Sequence, residues 1–409
     1  MSLQKTIQST AYTFCINVSD ACNLRCDYCF NKNKTGSIMD SDVAINYLEQ
    51  MYQRFPDGEK YFIDMSGKGE PLLALTTILD IANWCKNKQD EIKKEVLPQF
   101  VCNGTLLTND IARLLQKSGI LFGVSLDGDR SIHDKHRRDY FGNPTFDLII
   151  NNIKKIQFRD YIGCAATLTK DVFHLVETID SLLPLFKTLS FRPARGDLGM
   201  DEESEEKWEC EYERLSMALL NDIESNNKGR FLALMNGDDY FGKFLVKAIG
   251  NKRSVTRCDA SISRFAIEMD GKIFPCPSCS SCGIKPVLFN SISCEKQKHQ
   301  FSFDNQIFQC SECLFKYFCG GECPLLLATN GTISKCFCKF RQKLIALSLL
   351  IAEIMRIKNY EMYECLINFS NVKMLRLRKD PVFYEFLNKH SDLSFSDAKK
   401  IYDKIERRY

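Results

Sequence analysis

The chain has no apolar run long enough to cross a membrane. The longest, Leu344–Ile351, falls well short of the ~20 residues that a bilayer requires. The N-terminal residues carry no apolar stretch of the kind that directs export, so the expected location is cytoplasmic. Charge of one sign is also lacking. Fifty-five lysines and arginines against 52 aspartates and glutamates leave +3, too little to argue for nucleic acid or an anionic membrane as partner. No internal repeat or low-complexity tract is present, and 44% hydrophobic with 26% charged residues fits an ordered globular chain. With 409 residues there is room for one large domain and a smaller one.

Cysteine is what the chain has in excess. Twenty of them, without an export signal, do not suggest a disulfide framework, because cytosolic thiols stay reduced. Cys15, Cys85, Cys102, Cys164, Cys210 and Cys365 stand alone in apolar or helical surroundings and read as small packing residues. The others gather at 22–29 and 258–338, at spacings that suit metal binding.

From residue 11 to about 195 short β-type runs alternate with amphipathic stretches. Strands are expected at Tyr12–Val18, Lys60–Met65, Gln99–Cys102, Ile120–Ser125, Ile162–Thr167 and Thr188–Arg192. Helices are expected between them, such as Ser41–Arg54 capped by Asp40 or Ser41, and Asn109–Lys117 stopped by Gly119. Six βα repeats predict an α/β fold, a partial (β/α)6 TIM-like barrel, with its ligand site at the C-terminal ends of the strands. Residues 201–250 read as two helices, the first so acidic that a solvated face is expected. Lys339–Cys365 reads as one long helix, and the tail beyond it carries ten Lys/Arg against six Asp/Glu. The expected domains are 11–225 (barrel), 226–257 (helical linker), 258–345 (cysteine-rich) and 346–409 (helical tail).

Cys22-Asn-Leu-Arg-Cys26-Asp-Tyr-Cys29 follows the first strand. Three thiolates can hold three irons of a cubane cluster and leave the fourth iron open, as catalytic metals require. Zinc is the alternative, but it wants four ligands, and no His or Cys lies nearby to complete the set. The loop resembles the signature of the radical S-adenosylmethionine superfamily. That resemblance implies a [4Fe–4S] cluster on Cys22, Cys26 and Cys29 that cleaves S-adenosylmethionine, giving a 5′-deoxyadenosyl radical that abstracts a substrate hydrogen. Ser66-Gly-Lys-Gly-Glu-Pro71 stands where the family has a Gly-Gly-Glu-Pro turn for the methionine amino group. Lys68 replaces the first glycine there, leaving Gly69 and Glu70. Asn103-Gly-Thr, Val124-Ser-Leu-Asp-Gly128 and Ile132-His-Asp-Lys-His-Arg137 continue the resemblance. It implies Asn103 as a further cofactor residue, Ser125 and Arg137 as partners of the cofactor's carboxylate, and Tyr28 beside the adenine. His133 and His136 receive no role.

The second group runs Cys258-x12-Gly271-x4-Cys276, then Cys310-x2-Cys313-x5-Cys319-x3-Cys323, then Cys336 and Cys338. This resembles the SPASM extension of the same superfamily and implies two auxiliary [4Fe–4S] clusters, three clusters in all. Cys310, Cys313, Cys319 and either Cys336 or Cys338 would hold the outer one. Cys338 is favoured because Arg341–Ile345 better fits the start of the following helix. Cys258, Cys276 and Cys323 would hold the inner one, its fourth ligand left open among Cys279, Cys282 and a substrate thiolate. A zinc ribbon is the alternative for the Cys310–Cys323 run.

SPASM enzymes mostly act on peptides and proteins. The resemblance therefore implies a maturase that forms a thioether or another crosslink in a ribosomally made peptide, served by a reductase such as flavodoxin or ferredoxin. Leader recognition would fall to a separate protein, the barrel mouth or the tail Lys373–Tyr409. An anaerobic sulfatase maturase is the alternative within enzymes. Its general base is an aspartate directly after the cysteine matching Cys276, and here Pro277 has no proton-accepting group. A non-catalytic iron–sulfur carrier explains the cysteines but not Glu70, Ser125 and Arg137 at successive strand ends.

Overall fold

The computed structural model describes residues 11–32, 34–157, 162–171, 174–237, 239–250, 257–286, 310, 313–323, 325–327 and 334–373. The chain divides into two compact units. One comprises Ser9–Ala165 with Asp259–Gln300, the other Ala166–Cys258 with Phe301–Tyr409.

The first unit is built on parallel strands. β1 (Ala11–Ile16), β2 (Lys60–Asp64), β3 (Glu95–Cys102), β4 (Leu121–Ser125) and the start of β5 (Gly163–Leu168) lie side by side in chain order. Their registers pair Ala11 with Lys60, Lys60 with Glu95, Gln99 with Leu121 and Gly123 with Gly163. β1 is buried along its whole length, as a central parallel strand covered on both faces must be. The helices α1 (Ser41–Arg54), α2 (Leu75–Ile92), α3 (Asn109–Lys117), α4 (Arg130–His136) and α5 (Phe146–Lys155) fill the crossovers. Side-chain oxygens cap three of them: Asp40 for α1, Thr108 for α3 and Asp129 for α4.

β6 (Thr188–Pro193) belongs to the second unit. In the first, β7 (Arg264–Ile267) pairs parallel with the far edge of β1, and β8 (Ile273–Phe274) pairs antiparallel with β7. β7 thus takes the edge that a closed barrel would give to its last strand, so the barrel is partial, as expected. The expected strands all form, with ends shifted by a few residues at most except at β3, which starts four residues earlier.

In the second unit α6 (Leu175–Leu182), α7 (Glu205–Glu224), α8 (Gly229–Asn236) and α9 (Gly242–Ile249) accompany two further helices, Lys335–Lys358 and Tyr360–Lys373. Trp208, Tyr212, Phe241 and Phe340 pack edge to face in its core. Three expectations change here. Residues 201–250 hold three helices rather than two, with a break after Asn236 before the chain re-enters at Gly242. A Cβ on Gly242 would lie 2.2 Å from the Leu234 carbonyl oxygen, so the two short helices pack too closely for any other residue. The acidic α7 is not simply solvated: Glu205 pairs with Lys339 at 3.4 Å, and Lys343 pairs with Glu209 at 2.6 Å and Glu213 at 2.7 Å. The long helix begins at Lys335 and ends at Asn359, whose φ of −145° leaves the helical region. The Asn359 side chain then accepts from the Met362 N–H and starts the next helix.

Cys15, Cys85, Cys102 and Cys164 are buried as packing residues, whereas Cys210 and Cys365 are exposed. The basic tail lies outside the described residues after Lys373. Among the described residues no helix is long and apolar enough to cross a membrane.

Candidate cofactor site at the strand ends

The loop after β1 carries Cys22, Cys26 and Cys29, all half-buried, and it is fastened from three directions. Leu24, fully buried, anchors its centre. On one side the Arg25 N–H donates to the Arg138 carbonyl at 2.8 Å, and the Asp27 N–H to the His136 carbonyl at 3.2 Å. The His136 Nδ1 meets the Asp27 carboxylate at 2.8 Å. On a second side Asn103, at the end of β3, donates from Nδ2 to the Asn23 Oδ1 at 2.7 Å, and Asn23 donates to Thr105 Oγ1 at 2.8 Å. On the third the Glu70 N–H donates to the Ala21 carbonyl at 2.7 Å.

That last contact explains a glycine. A Cβ on Gly69 would lie 2.2 Å from the Ala21 carbonyl oxygen and 2.5 Å from that of Ser19, so the turn after β2 can lie against the loop only if residue 69 has no side chain. Glu70 then closes the turn. One carboxylate oxygen accepts from the Leu72 N–H at 3.0 Å, the other from the Asn103 N–H at 2.7 Å. Burial lifts its pKa to about 7, against the pull of those two N–H donors. Glu70 therefore joins the ends of β2 and β3 through the backbone.

Arg137 is buried and aimed at the loop. Its Nε donates to Asp127 Oδ2 at 2.7 Å, and Nη1 lies 4.0 Å from Cys26 Sγ. The guanidinium stands 5.3 Å above the Tyr28 ring, whose hydroxyl also donates to Asp127. Asp127 is wholly buried, and its N–H donates to His133 Nδ1 at 3.3 Å. The ring's Nε2 then donates to Thr145 Oγ1 at 3.1 Å, and that hydroxyl donates to the Arg137 carbonyl at 2.9 Å. Burial lowers the His133 pKa to about 4, which keeps the ring neutral, as these bonds require. Ser125, half-buried, ends β4, paired with Ala165.

Tyr28, Gly69, Glu70, Asn103 and Arg137 thus touch the cysteine loop or belong to it. Asp127, Asn23 and the Asp27–His136 pair were missed by sequence reasoning. Asp127 sits inside the Val124–Gly128 segment, where its place beside Ser125 was the available signal. A further network was also missed. The Lys68 Nζ pairs with Glu268 Oε2 at 3.0 Å, and Asn17 Nδ2 donates to the same oxygen at 3.2 Å. Lys68, the residue in place of the expected glycine, thus has a buried partner at the end of β7.

In the second unit burial, joined by the charges of Cys319, Cys338 and Cys313, pushes the Cys310 thiol up to about 11. Gln342 Nε2 lies 3.8 Å from the sulfurs of both Cys313 and Cys338. Cys336 instead faces Ser334 Oγ at 3.2 Å. The helix starts at Lys335, before both cysteines, so the earlier reason for choosing Cys338 does not hold. Cys258 and Cys323 lie in the second unit and Cys276 in the first.

Cys22, Cys26 and Cys29 are three thiolate donors on one loop, and a cubane takes each thiolate on a different iron.

Residues 16–183 match the Radical SAM superfamily. The chain is 27% identical over 275 residues to the cysteine-type anaerobic sulfatase-maturating enzyme of Clostridium novyi, covering 63% of this chain and 71% of that one. The solved structure of anSMEcpe with bound AdoMet and a Cp18Cys peptide superposes with a TM-score of 0.67 at 18% identity, over 88% of this chain and 99% of that one. SuiB of Streptococcus suis, bound to its precursor peptide SuiA, gives 0.54 at 16% identity over 79% and 74%. At these identities the two structures speak for the fold alone.

Proposed function

We propose that this chain, whose residues 16–183 match the Radical SAM superfamily, is a radical SAM enzyme that uses S-adenosylmethionine and a [4Fe–4S] cluster and matures a ribosomally made peptide by crosslinking it. When bound, the cluster and S-adenosylmethionine supply a 5′-deoxyadenosyl radical through one-electron cleavage of the sulfonium. Everything else is the work of the chain's own side chains. Cys22, Cys26 and Cys29 hold the cluster from a loop that the fold itself keeps in place. Arg137, with Nε held by Asp127, keeps its remaining N–H groups for the carboxylate of the cofactor. Tyr28 offers a ring face, and Gly69, Glu70, Asn103 and Ser125 shape the backbone around the cofactor. Cys310, Cys313, Cys319 and Cys338, two of which lie 3.8 Å from Gln342 Nε2, would hold an auxiliary cluster.

The observation that carries the choice of reaction is Pro277. It lines a small pocket with Asn17, Lys68 and Glu268, at the position where sulfatase maturases place their base. A sulfatase-maturing activity is the second reading, favoured by the 27% identity to the Clostridium novyi enzyme. Radical chemistry is tested by anaerobic reconstitution followed by dithionite and S-adenosylmethionine. Release of 5′-deoxyadenosine is expected from the wild type and none from Cys26→Ala; no release, or equal release, sinks the reading. The two reactions separate by mass spectrometry of a co-expressed cysteine-containing peptide. Crosslinking removes two hydrogens, whereas sulfatase maturation exchanges the thiol for an aldehyde.

A further inference from the structure

The loop after β8 runs Cys276-Pro-Ser-Cys279-Ser-Ser-Cys282. Consecutive turns wind it: the Cys279 N–H donates to the Cys276 carbonyl at 3.1 Å, and the Cys282 N–H to the Cys279 carbonyl at 3.1 Å. The winding brings Cys279 Sγ to 3.4 Å from Cys276 Sγ. Both sulfurs can therefore reach one metal centre. Two thiolates on a single tetrahedral ion stand about 3.8 Å apart, and those on neighbouring irons of a cluster stand farther. Cys279 is only 4% exposed, whereas Cys282 is turned outward to solvent.

The turn is also anchored. Ser280, next to Cys279, donates to Glu268 Oε1 at 2.5 Å, and the other oxygen of Glu268 takes Lys68 and Asn17. A carboxylate at the end of β7 thus ties this loop to the turn that precedes Gly69. A merely packed cysteine has no need of a second thiol in contact, nor of a polar anchor on its neighbour.

We propose that Cys279, and not Cys282, is a metal ligand together with Cys276, as a thiolate of an auxiliary iron–sulfur cluster. The proposal rests on the auxiliary-cluster reading above and can fail separately from it. The test uses the full chain with Cys22, Cys26 and Cys29 all changed to alanine, so that iron in the first loop does not enter the count. After anaerobic reconstitution with iron and sulfide, Cys279→Ser and Cys279→Ala are expected to lose one cluster's worth of iron, about four atoms per chain, or to shift its EPR signal. Cys282→Ser is expected to match its parent in both. Urea unfolding of the metal-free variants checks that the fold is kept. Full iron and an unchanged spectrum in both Cys279 variants overturn the assignment, as does an equal loss in Cys282→Ser or zinc in place of iron. A parent without iron overturns the auxiliary-cluster reading itself.

Discussion

The two cysteine regions hold their thiols by different means. In the loop 22–29 the sulfurs are placed by the sheet: Glu70, Asn103 and the Arg138 carbonyl all reach it from the ends of strands or from the segments that follow them. Around Cys310, Cys313, Cys319 and Cys338 the described residues form no strand. Short turns and the first turn of the helix Lys335–Lys358 carry the thiols, and a buried ion pair stands beside them. A loop hung on a regular sheet keeps its shape without metal. A set of short turns relies on its few polar links and on the metal itself. Changes in the second region should therefore cost stability and iron together, and changes in the first should cost cofactor chemistry.

The largest effect is expected at Glu322. It is 3% exposed, and its carboxylate pairs with Arg341 at 2.9 and 3.2 Å and with Arg257 at 3.4 Å. Removing it leaves the buried Arg341 guanidinium uncompensated, a loss of about 3–5 kcal/mol. Urea denaturation of Glu322→Ala should show that loss together with less iron, while 5′-deoxyadenosine formation by the folded fraction persists. Equal loss of iron and of 5′-deoxyadenosine formation would erase the contrast between the regions.

Gly69→Ala comes next. The new methyl has backbone oxygens in its way rather than a flexible side chain, so the turn or the cysteine loop must shift, at about 1–3 kcal/mol. The expected result is weaker S-adenosylmethionine binding with iron in the second region intact, read by isothermal titration and iron analysis.

Glu70 sharpens the contrast through pH. Its pKa in the fold, about 7, lies above its ordinary value of 4.5 because it is buried. The stability this group contributes is thus fully present below about 4.5 and lost as pH rises through about 7. The ionised form, however, is the one that accepts both N–H groups and fixes the turn. Cofactor affinity should fall as pH drops below about 7 in the wild type, and Glu70→Gln should lack that limb. A limb that survives the substitution assigns it to another group.

Much of this contrast was legible in the sequence, and the reason is locality. The strands of the barrel, the Asp40 cap and the cysteine spacing are signals contained in a few neighbouring residues. The break at Asn359 was not legible, because asparagine is tolerated within helices and only the capping of Met362 shows that it ends one. Nor was the pairing of α7 with Lys339 and Lys343, which lie 134 and 130 residues beyond their partners Glu205 and Glu213. Asp127 could be seen but not assigned, since its meaning depends on Tyr28 and Arg137 meeting on one carboxylate. Lys68 read as a departure; Glu268, 200 residues away, makes it half of a pair.

The smallest effect tests the contrast most sharply. Ser334 caps the helix Lys335–Lys358, its Oγ accepting from the Phe337 N–H at 3.4 Å, and Asp40 caps α1 in the same way through the Asp42 and Val43 N–H groups. Either serine or aspartate to alanine should cost about 1 kcal/mol, so stability alone does not separate them. Their consequences for metal do differ. Cys338 lies in the first turn of its helix, and its N–H bonds back to the Ser334 carbonyl at 2.9 Å, so fraying there moves a thiol. α1 carries none of the clustered cysteines, and the loop before it is held from elsewhere. In the protein lacking Cys22, Cys26 and Cys29, Ser334→Ala should therefore lose iron to a chelator faster than its parent, and Asp40→Ala should lose it at the parent's rate. Equal rates would mean that the second region is as firmly scaffolded as the first.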